Sequence, residues 1–531
     1  MVALSIVVWL AAACGAVGLA LPARRGKLSP AGLLALAGAL ATLGLAISLI
    51  ASYNPHAGLQ DVTNVNWIPA LGIHYALAVS GLNLFLVGLC ALLFAAAQLA
   101  LNLRVAREEV ERARLFFFLL ALAESAVLGA FLAQDLALFV AFYDLMLIPF
   151  YFLIGIYGGR NRLAATLKLV VYTLVGSLLM LAGAVATGVL AAHEHNTSLT
   201  FSLQALEHLR LARGSQEWIF LFFAAAFLVK MPLFPFHGWM PDGYRAMPIE
   251  VVMVFSGVLS KVAAYGFLAI ALPLFPQAAV HFQMLMLVIA LLSILYGSTL
   301  AFSQTDARLI AGYSSVAQMG FITLGIFSLD SKGAQGALLG MLNHGLVVAP
   351  LFFVIALLAR RAGGSEDIRE MGGIAFRAPV LATLFLVVSL ATLAMPGSAN
   401  FIGEFLILLG VFNAKLPIAI IASAGVVLAA VYALRLFIRA MHNRVGPKVA
   451  SFELSLGEGT VLAPLVGVIL LFAFYPQLAL ARSEASVAGA LAPARTALAE
   501  PAVNRSSAAA EPQAPPPTEA EAEGEAEGEP R

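Results

Sequence analysis

Charge is scarce in this chain. Only 11% of its 531 residues are Asp, Glu, Lys or Arg, and the 30 basic residues nearly balance 29 acidic ones, leaving a formal net charge of +1. A soluble domain carries about 25% charged residues, and a nucleic-acid surface needs a basic excess. Both classes are excluded. Cysteine is scarcer still: Cys14 and Cys90 lie far apart in apolar runs, so neither a disulfide framework nor a metal cluster can be built from them. The sequence also lacks a nucleotide-binding glycine pattern, a phosphate loop and any haem or iron–sulfur cysteine spacing. No cofactor-binding or metal-binding residue is therefore expected on this chain. Redox chemistry, where it drives such a protein, belongs to a partner.

What is present is apolar length. Hydrophobic residues make up 61% of the chain and its mean hydropathy is +0.94. This predicts an all-α polytopic membrane protein. Since a span takes about 20 apolar residues, fourteen segments qualify, near 2–21, 30–52, 80–103, 115–133, 136–158, 164–192, 217–236, 250–274, 280–302, 309–328, 335–359, 378–412, 417–439 and 460–481. No positive charge precedes the first run, and Arg24, Arg25 and Lys27 follow it, the reverse of a signal peptide. It reads as a retained span.

Counted over the loops, one side holds nineteen Lys and Arg and the other four before the tail. The positive-inside rule then places both termini on the outer side of a cell inner (plasma) membrane. Past Glu484 the composition turns to Ala, Pro, Glu and Gly. Such a segment buries too little apolar surface to offset its ordering entropy, so 485–531 is expected to be a disordered acidic tail. The remaining organisation reads as 1–114 (three spans and a charged loop), 115–275, 276–445, and 446–484 (the last span).

The informative residues are those that violate hydropathy. A charge at mid-bilayer costs about 2.5–3.5 kcal/mol on insertion scales and normally faces protein or water for a purpose. Here these residues are Glu124, Asp144, Lys230, Lys261, Glu404 and Arg435, joined by His237 and His344. Two stand beside helix breakers: Pro232 and Pro235 follow Lys230, while Pro396 and Gly397 precede Glu404. Proline removes an intrahelical hydrogen bond, and broken helices are tolerated in membranes only against protein or a wet cavity. Matched broken spans in two halves point to a transport site.

The halves align by arithmetic. Lys230 to Lys261 is 31 residues, and Glu404 to Arg435 is also 31; the offset, 404 minus 230, is 174, and it carries Asp144 onto Gln318. Spans four to eight (115–275) and nine to thirteen (276–445) thus read as two five-helix repeats. The odd number of spans inverts one against the other.

A lysine whose carboxylate partner can approach or withdraw is a switchable proton site, because burial penalises its charge and pairing restores it. Asp144 and Lys230 are the candidate pair and Lys261 the next station. His237 and His344 serve as relays, Glu404 ends the line, and hydroxyls such as Tyr313, Ser314 and Ser315, with water, bridge the gaps.

Several stretches carry a resemblance. They are DLMLIPFYFLIGIYGG from Asp144, YTLVGSLLML from Tyr172, KMPLFPFHGWMPDGY from Lys230, GVLSKVAAYGF from Gly257, GYSSVAQMGF from Gly312, NHGLVVAPLF from Asn343 and PGSANFIGEFLILLG from Pro396. Over roughly 80–445 the sequence resembles the antiporter-like membrane subunits of the proton-translocating NADH–quinone oxidoreductase, respiratory complex I, and among them the M (chain 4) branch.

The resemblance implies fourteen helices with two inverted five-helix repeats, breaks in helices 7 and 12, and a hydrated polar axis. It puts the input lysine at Lys230, the central lysine at Lys261 and the distal glutamate at Glu404, where the sister branches usually carry lysine. It further implies an enzyme subunit of a translocase in the respiratory electron-transport chain, with FMN, iron–sulfur clusters and quinone in partner subunits. Those partners, the sister antiporter-like subunits among them, the lipid bilayer and protons complete its setting, with no nucleic acid.

Two positions depart from the family. Asp144 replaces a glutamate and reaches one methylene less far; Gln318 stands where histidine is frequent, and it orients water but carries no proton. The alternatives are a subunit of a multisubunit sodium–proton antiporter, a related ion-translocating redox complex, or a scaffold that has lost transport.

Overall fold

The computed structural model describes residues 4–21, 29–450 and 452–508. Arg24, Arg25 and Lys27, and the expected tail beyond residue 508, lie outside the described residues. Eleven described helices are long and apolar enough to cross a membrane, and three shorter apolar helices accompany them. In chain order the helices that matter are α1 (Leu4–Gly18), α2 (Pro30–Ser52), α3 (Leu84–Arg107), α4 (Ala113–Leu132), α5 (Leu136–Tyr157) and α6 (Arg162–His195). They continue as α7 (Arg213–Lys230), α8 (Met240–Ala246), α9 (Ile249–Leu274), α10 (Gln283–Ser303), α11 (Ala307–Phe327) and α12 (Ser331–Arg361). The last five are α13 (Pro379–Thr392), α14 (Ala399–Ala414), α15 (Leu416–Met441), α16 (Leu456–Phe474) and α17 (Gln477–Ala508).

Side-chain caps start many of these helices where the sequence supplies them. Ser29, Asp135, Asp306 and Asp330 each accept a hydrogen bond from a first-turn backbone N–H, and Ser455 forms a reciprocal capping box with Glu458. In an apolar medium such partners matter more, because water is not there to satisfy the orphan donors. The bundle's outer surface is apolar: Leu163, Leu167, Leu178, Val427 and Ile420 are all more than half exposed. A contiguous face of that kind is covered by lipid or by another subunit. The chain is a multi-span membrane protein.

Polar clusters mark the two ends of the bundle. At one, the end of α3, the start of α9, the end of α12 and the start of α16 meet: Arg104 pairs with Glu250 at 2.8 Å, while Glu458 takes Arg107 at 2.9 Å and also Arg360. We call this the arginine face. The other carries an antiparallel hairpin, β1 (Gln60–Ile68) with β2 (Ile73–Val79), tied to α5 by Asp135, whose carboxylate accepts from the His74 N–H at 3.1 Å.

Two sequence expectations are corrected. The chain is not purely helical, since 60–79 forms this hairpin. Its Val62–Trp67 run is too short and too interrupted by Thr and Asn to register as an apolar segment. The disordered tail does not begin at 485 either, because α17 runs unbroken through Ala508. Alanine-rich sequence is the best helix former, and Val487, Leu491 and Ala494, spaced by four and three, bury one stripe. That stripe lies on the hairpin face, where Ser486 accepts from the Gly81 N–H and Arg495 reaches Ser331.

Three helices lie inside the rest. α9 and α11 are buried along their length and α12 nearly so. They carry Lys261, Gln318 and His344, which places the unusual polar residues at the centre of the bundle.

Candidate functional site

The first cluster forms at the break after α7. The helix stops at Lys230, and its freed carbonyls find other partners: Leu233 N–H donates to Leu228 O, and Trp239 Nε1 donates to Val229 O at 3.0 Å. The Phe234 N–H goes to Ser293 Oγ at 3.0 Å. Pro232 and Pro235 sit within this segment, where the missing N–H groups cost nothing.

Lys230 is 7% exposed. Its Nζ donates to the carbonyl of Tyr143 at 2.9 Å and lies 3.4 Å from that ring's centroid. A desolvated cation–π contact is worth about 2 kcal/mol. The ring is itself held by its hydroxyl, which donates to Ala226 O at 3.0 Å. Asp144, the next residue, acts on Lys230 electrostatically but makes no ion pair with it within 4.0 Å, and its Oδ1 is buried without a partner. The carboxylate stands close to the ammonium without touching it.

The second cluster is built on α9. Two π turns, Phe255–Leu259 and Phe267–Ala271, bracket Ser260–Gly266. A π turn shifts the backbone ladder by one residue and is found mostly at functional sites. Here the carbonyl of Ser256 accepts Lys261 Nζ at 2.6 Å. The same Nζ lies 3.2 Å from Ser260 Oγ and 2.8 Å from His344 Nδ1. With Lys261 as ammonium, the imidazole accepts at Nδ1 and carries its proton on Nε2. That nitrogen is buried without a protein partner.

The third cluster joins α11 to α14. Gln318 Nε2 donates to Glu404 Oε1 at 2.7 Å, and Glu404 Oε2 is buried and unpartnered. Asn343 Nδ2 donates to Ala399 O at 2.6 Å beside the break between α13 and α14. The chain turns there at Pro396 and Gly397, with Gly397 at φ +91°, a left-handed value that glycine adopts without strain.

The second and third clusters are linked by hydroxyls. Ser256 Oγ and Ser315 Oγ lie 3.3 Å apart across α9 and α11, and Ser315 is three residues before Gln318, on the same helix face. His344, Lys261, Ser256, Ser315, Gln318 and Glu404 thus form one file. Its unpartnered atoms, His344 Nε2 and Glu404 Oε2, have the chemistry of water-binding positions, since buried polar atoms rarely go without a partner.

Three candidates stand apart. Glu124 is wholly buried on α4 with both oxygens unpartnered. His237 sits in the short turn Phe236–Trp239 against the rings of Phe234 and Tyr296, with Nδ1 unpartnered. Arg435 caps the C-terminal end of α10, donating to the carbonyls of Phe302 and Gln304. It therefore neutralises a helix end at the bundle's margin. Sequence reasoning did not single out Tyr143 or Ser256. The signal for both was adjacency, one residue before Asp144 and five before Lys261.

Among the described residues no group of three or more His, Cys, Asp or Glu side chains is placed to hold a metal ion. The family model described as NADH:quinone oxidoreductase/Mrp antiporter, TM, matches residues 133–430, which takes in every residue of the three clusters. NADH-quinone oxidoreductase subunit M of Escherichia coli K12 is 36% identical over 470 residues, covering 85% of this chain and 91% of that one. Among solved structures, a chain of respiratory complex I from Thermus thermophilus superposes with a TM-score of 0.82 at 31% identity, covering 92% of this chain and 99% of that one. A chain of the Mrp complex from Dietzia sp. superposes with a TM-score of 0.80 at 20% identity, over 94% of this chain and 99% of that one.

Proposed function

This chain belongs to the NADH:quinone oxidoreductase/Mrp antiporter family of membrane subunits, and from that premise we propose that it is the proton-translocating subunit M of an NADH–quinone oxidoreductase. The observation that carries the reading is the file from His344 and Lys261 through Ser256 and Ser315 to Gln318 and Glu404. Every residue in it is buried, and it joins a base to an acid across the molecule.

In this reading Lys230 is the input site, and Asp144 controls it by distance. When the carboxylate approaches, the ammonium is stabilised; when it withdraws, burial favours release of the proton. Tyr143 holds the ammonium in the meantime. Lys261 and His344 form the central exchange pair, and Glu404 is the distal site, with Gln318 orienting its carboxylate. Waters complete the gaps, consistent with the unpartnered atoms at Asp144, His344 and Glu404. Glu124 and His237 would act as flanking groups and Arg435 as a structural cap.

The finer architecture belongs to the same proposal. It comprises fourteen spans and two inverted repeats at 115–275 and 276–445, with helices 7 and 12 broken at Pro232–Pro235 and Pro396–Gly397. The arginine face is cytoplasmic and both termini lie outside, in the inner membrane. Electron transfer from NADH to quinone, with FMN and iron–sulfur clusters, is carried out in partner subunits, and sister antiporter-like subunits flank this one. The sodium–proton antiporter reading shares the fold. It is favoured less, because the Dietzia chain is 20% identical whereas relatives named subunit M reach 36%.

The test is Lys230→Ala in the assembled complex, measured as NADH-driven dye quenching in inverted vesicles. Coupled pumping should fall by about tenfold or more, with electron entry from NADH to ferricyanide persisting. Normal pumping would remove Lys230 from the input site. Dependence of the quench on sodium would favour the antiporter reading.

A further inference from the structure

Where α5 meets Lys230, the protein has the features of a seat for an organic ammonium. α5 consists of two helical stretches, Leu136–Leu145 and Leu147–Tyr157, that join at Met146. Pro149 has no N–H to offer the Leu145 carbonyl four residues earlier, which weakens the ladder at this joint. Beside the joint, Tyr143 presents two groups at once. Its carbonyl accepts Lys230 Nζ at 2.9 Å, and its ring centroid lies 3.4 Å from the same nitrogen.

The ring is held by contacts that do not involve the lysine. Its hydroxyl donates to Ala226 O at 3.0 Å, and the rings of Phe139 and Phe227 stand against it with centroids at 5.7 and 6.0 Å. Tyr143 is 1% exposed, so its face is closed to bulk water. An aromatic face joined by a few oxygens is the chemistry that recognises organic ammonium ions. A hard metal cation instead takes about six oxygen ligands. Here one carbonyl meets Nζ directly, and Asp144, with Oδ1 buried and unpartnered, stands beside it.

We propose that the ring face and carbonyl of Tyr143, with Asp144 beside them, form a binding site for a primary alkylammonium. Lys230 fills it from α7 as a tethered ligand, and a free alkylammonium takes its place when the tether is cut. This rests on the reading of Lys230 as the input site and names what that site recognises. It also assigns the motion: the seat on α5 is fixed by its own contacts, and the lysine is the group that leaves it for Asp144.

The experiment uses the assembled complex in inverted vesicles. Lys230→Ala removes the side chain beyond Cβ, which is propylammonium, and that ion is the probe. Pumping is followed as membrane potential, which weak bases leave standing, against wild type at the same amine concentration. Propylammonium should restore pumping to Lys230→Ala in a saturable way, and sodium at equal concentration should not. Adding Tyr143→Leu should raise the concentration for half-rescue by about thirtyfold, while Tyr143→Phe, which keeps the ring face, should raise it far less. A density map of the Lys230→Ala complex with propylammonium should show the amine against the Tyr143 ring. A filled seat upholds the site even where pumping does not return, since a free amine lacks the tether.

A seat left empty in the map at saturating amine, a rescue indifferent to the ring, or an equal rescue by sodium overturns the inference and leaves Lys230 as the input site. Should Lys230→Ala not assemble, Tyr143→Leu with the native lysine decides. Its ring gone, the seat should release Nζ to an ion pair with Asp144, and Nζ unmoved from its native place would refute the assignment. Normal pumping in Lys230→Ala without amine removes the wider reading itself.

Discussion

Lys261→Arg separates a proton carrier from a fixed charge. Lys261 is wholly buried, and its Nζ is within 3.2 Å of three acceptors: the Ser256 carbonyl, Ser260 Oγ and His344 Nδ1. Arginine keeps the charge and offers five donors, so the acceptors need not be stranded. It cannot give up a proton, however, since its pKa lies above 12. At pH 7 fewer than about one guanidinium in 10⁵ is neutral. If the cycle passes through neutral lysine, Lys261→Arg should abolish pumping while the subunit remains assembled.

Lys261→Met is the control for packing. It removes all three contacts; the Ser256 carbonyl keeps the Ser260 hydroxyl, and the stranded His344 nitrogen costs about 1–3 kcal/mol. That variant should lose stability as well as pumping. The assay is NADH-driven quenching in inverted vesicles alongside native-gel quantification of assembled complex. Pumping at the wild-type rate in Lys261→Arg would refute the argument, leaving Lys261 as a permanent cation that organises its neighbours.

Asp144→Glu should be tolerated and should bring the carboxylate into contact with Lys230, visible as an ion pair in a structure of the variant. Loss of pumping in that variant would mean that the wider spacing is itself required. Gly397→Ala meets no neighbouring atom within 4 Å, so its cost is purely conformational, about 1–3 kcal/mol for a left-handed position. A lower thermal midpoint of the detergent-solubilised complex would register it, whereas an unchanged midpoint would show that the loop relaxes freely.

The eleven long apolar helices, the two breaks and the buried charges were legible because each rests on a local rule: apolar length, proline chemistry and the cost of a charge in hydrocarbon. The hairpin at 60–79 was not legible, for its alternation of Val, Thr, Asn and Trp is short and solvated on one side. The helix over 485–508 was misread because Ala, Pro and Glu content speaks both for disorder and for helix. What separates the two readings is a surface to pack on, and a single sequence does not display one.

The site divides in the same way. Lys230, Lys261 and Glu404 announced themselves by charge, and Ser315 by its hydroxyl within the tenth apolar segment. The contacts that define their state come from backbone: the Tyr143 carbonyl and the Ser256 carbonyl exposed by a π turn. Every residue contributes a carbonyl, so composition carries no trace of which one is turned inward. Arg435 had the right charge at the right spacing and a different job, since only the fold reveals that the end of α10 lies beside it.

The enclosure of α9, α11 and α12 has a consequence for how the membrane bears on transport. A conductor laid against lipid would have its polarity set by whichever acyl chains and headgroups happened to surround it, and would leak wherever a defect opened. Here every group in the file is sheathed by other helices, as a wire is by its jacket. Bilayer thickness and composition then act on assembly and on the outer helices, while the proposed path keeps the same insulation in any membrane the complex occupies.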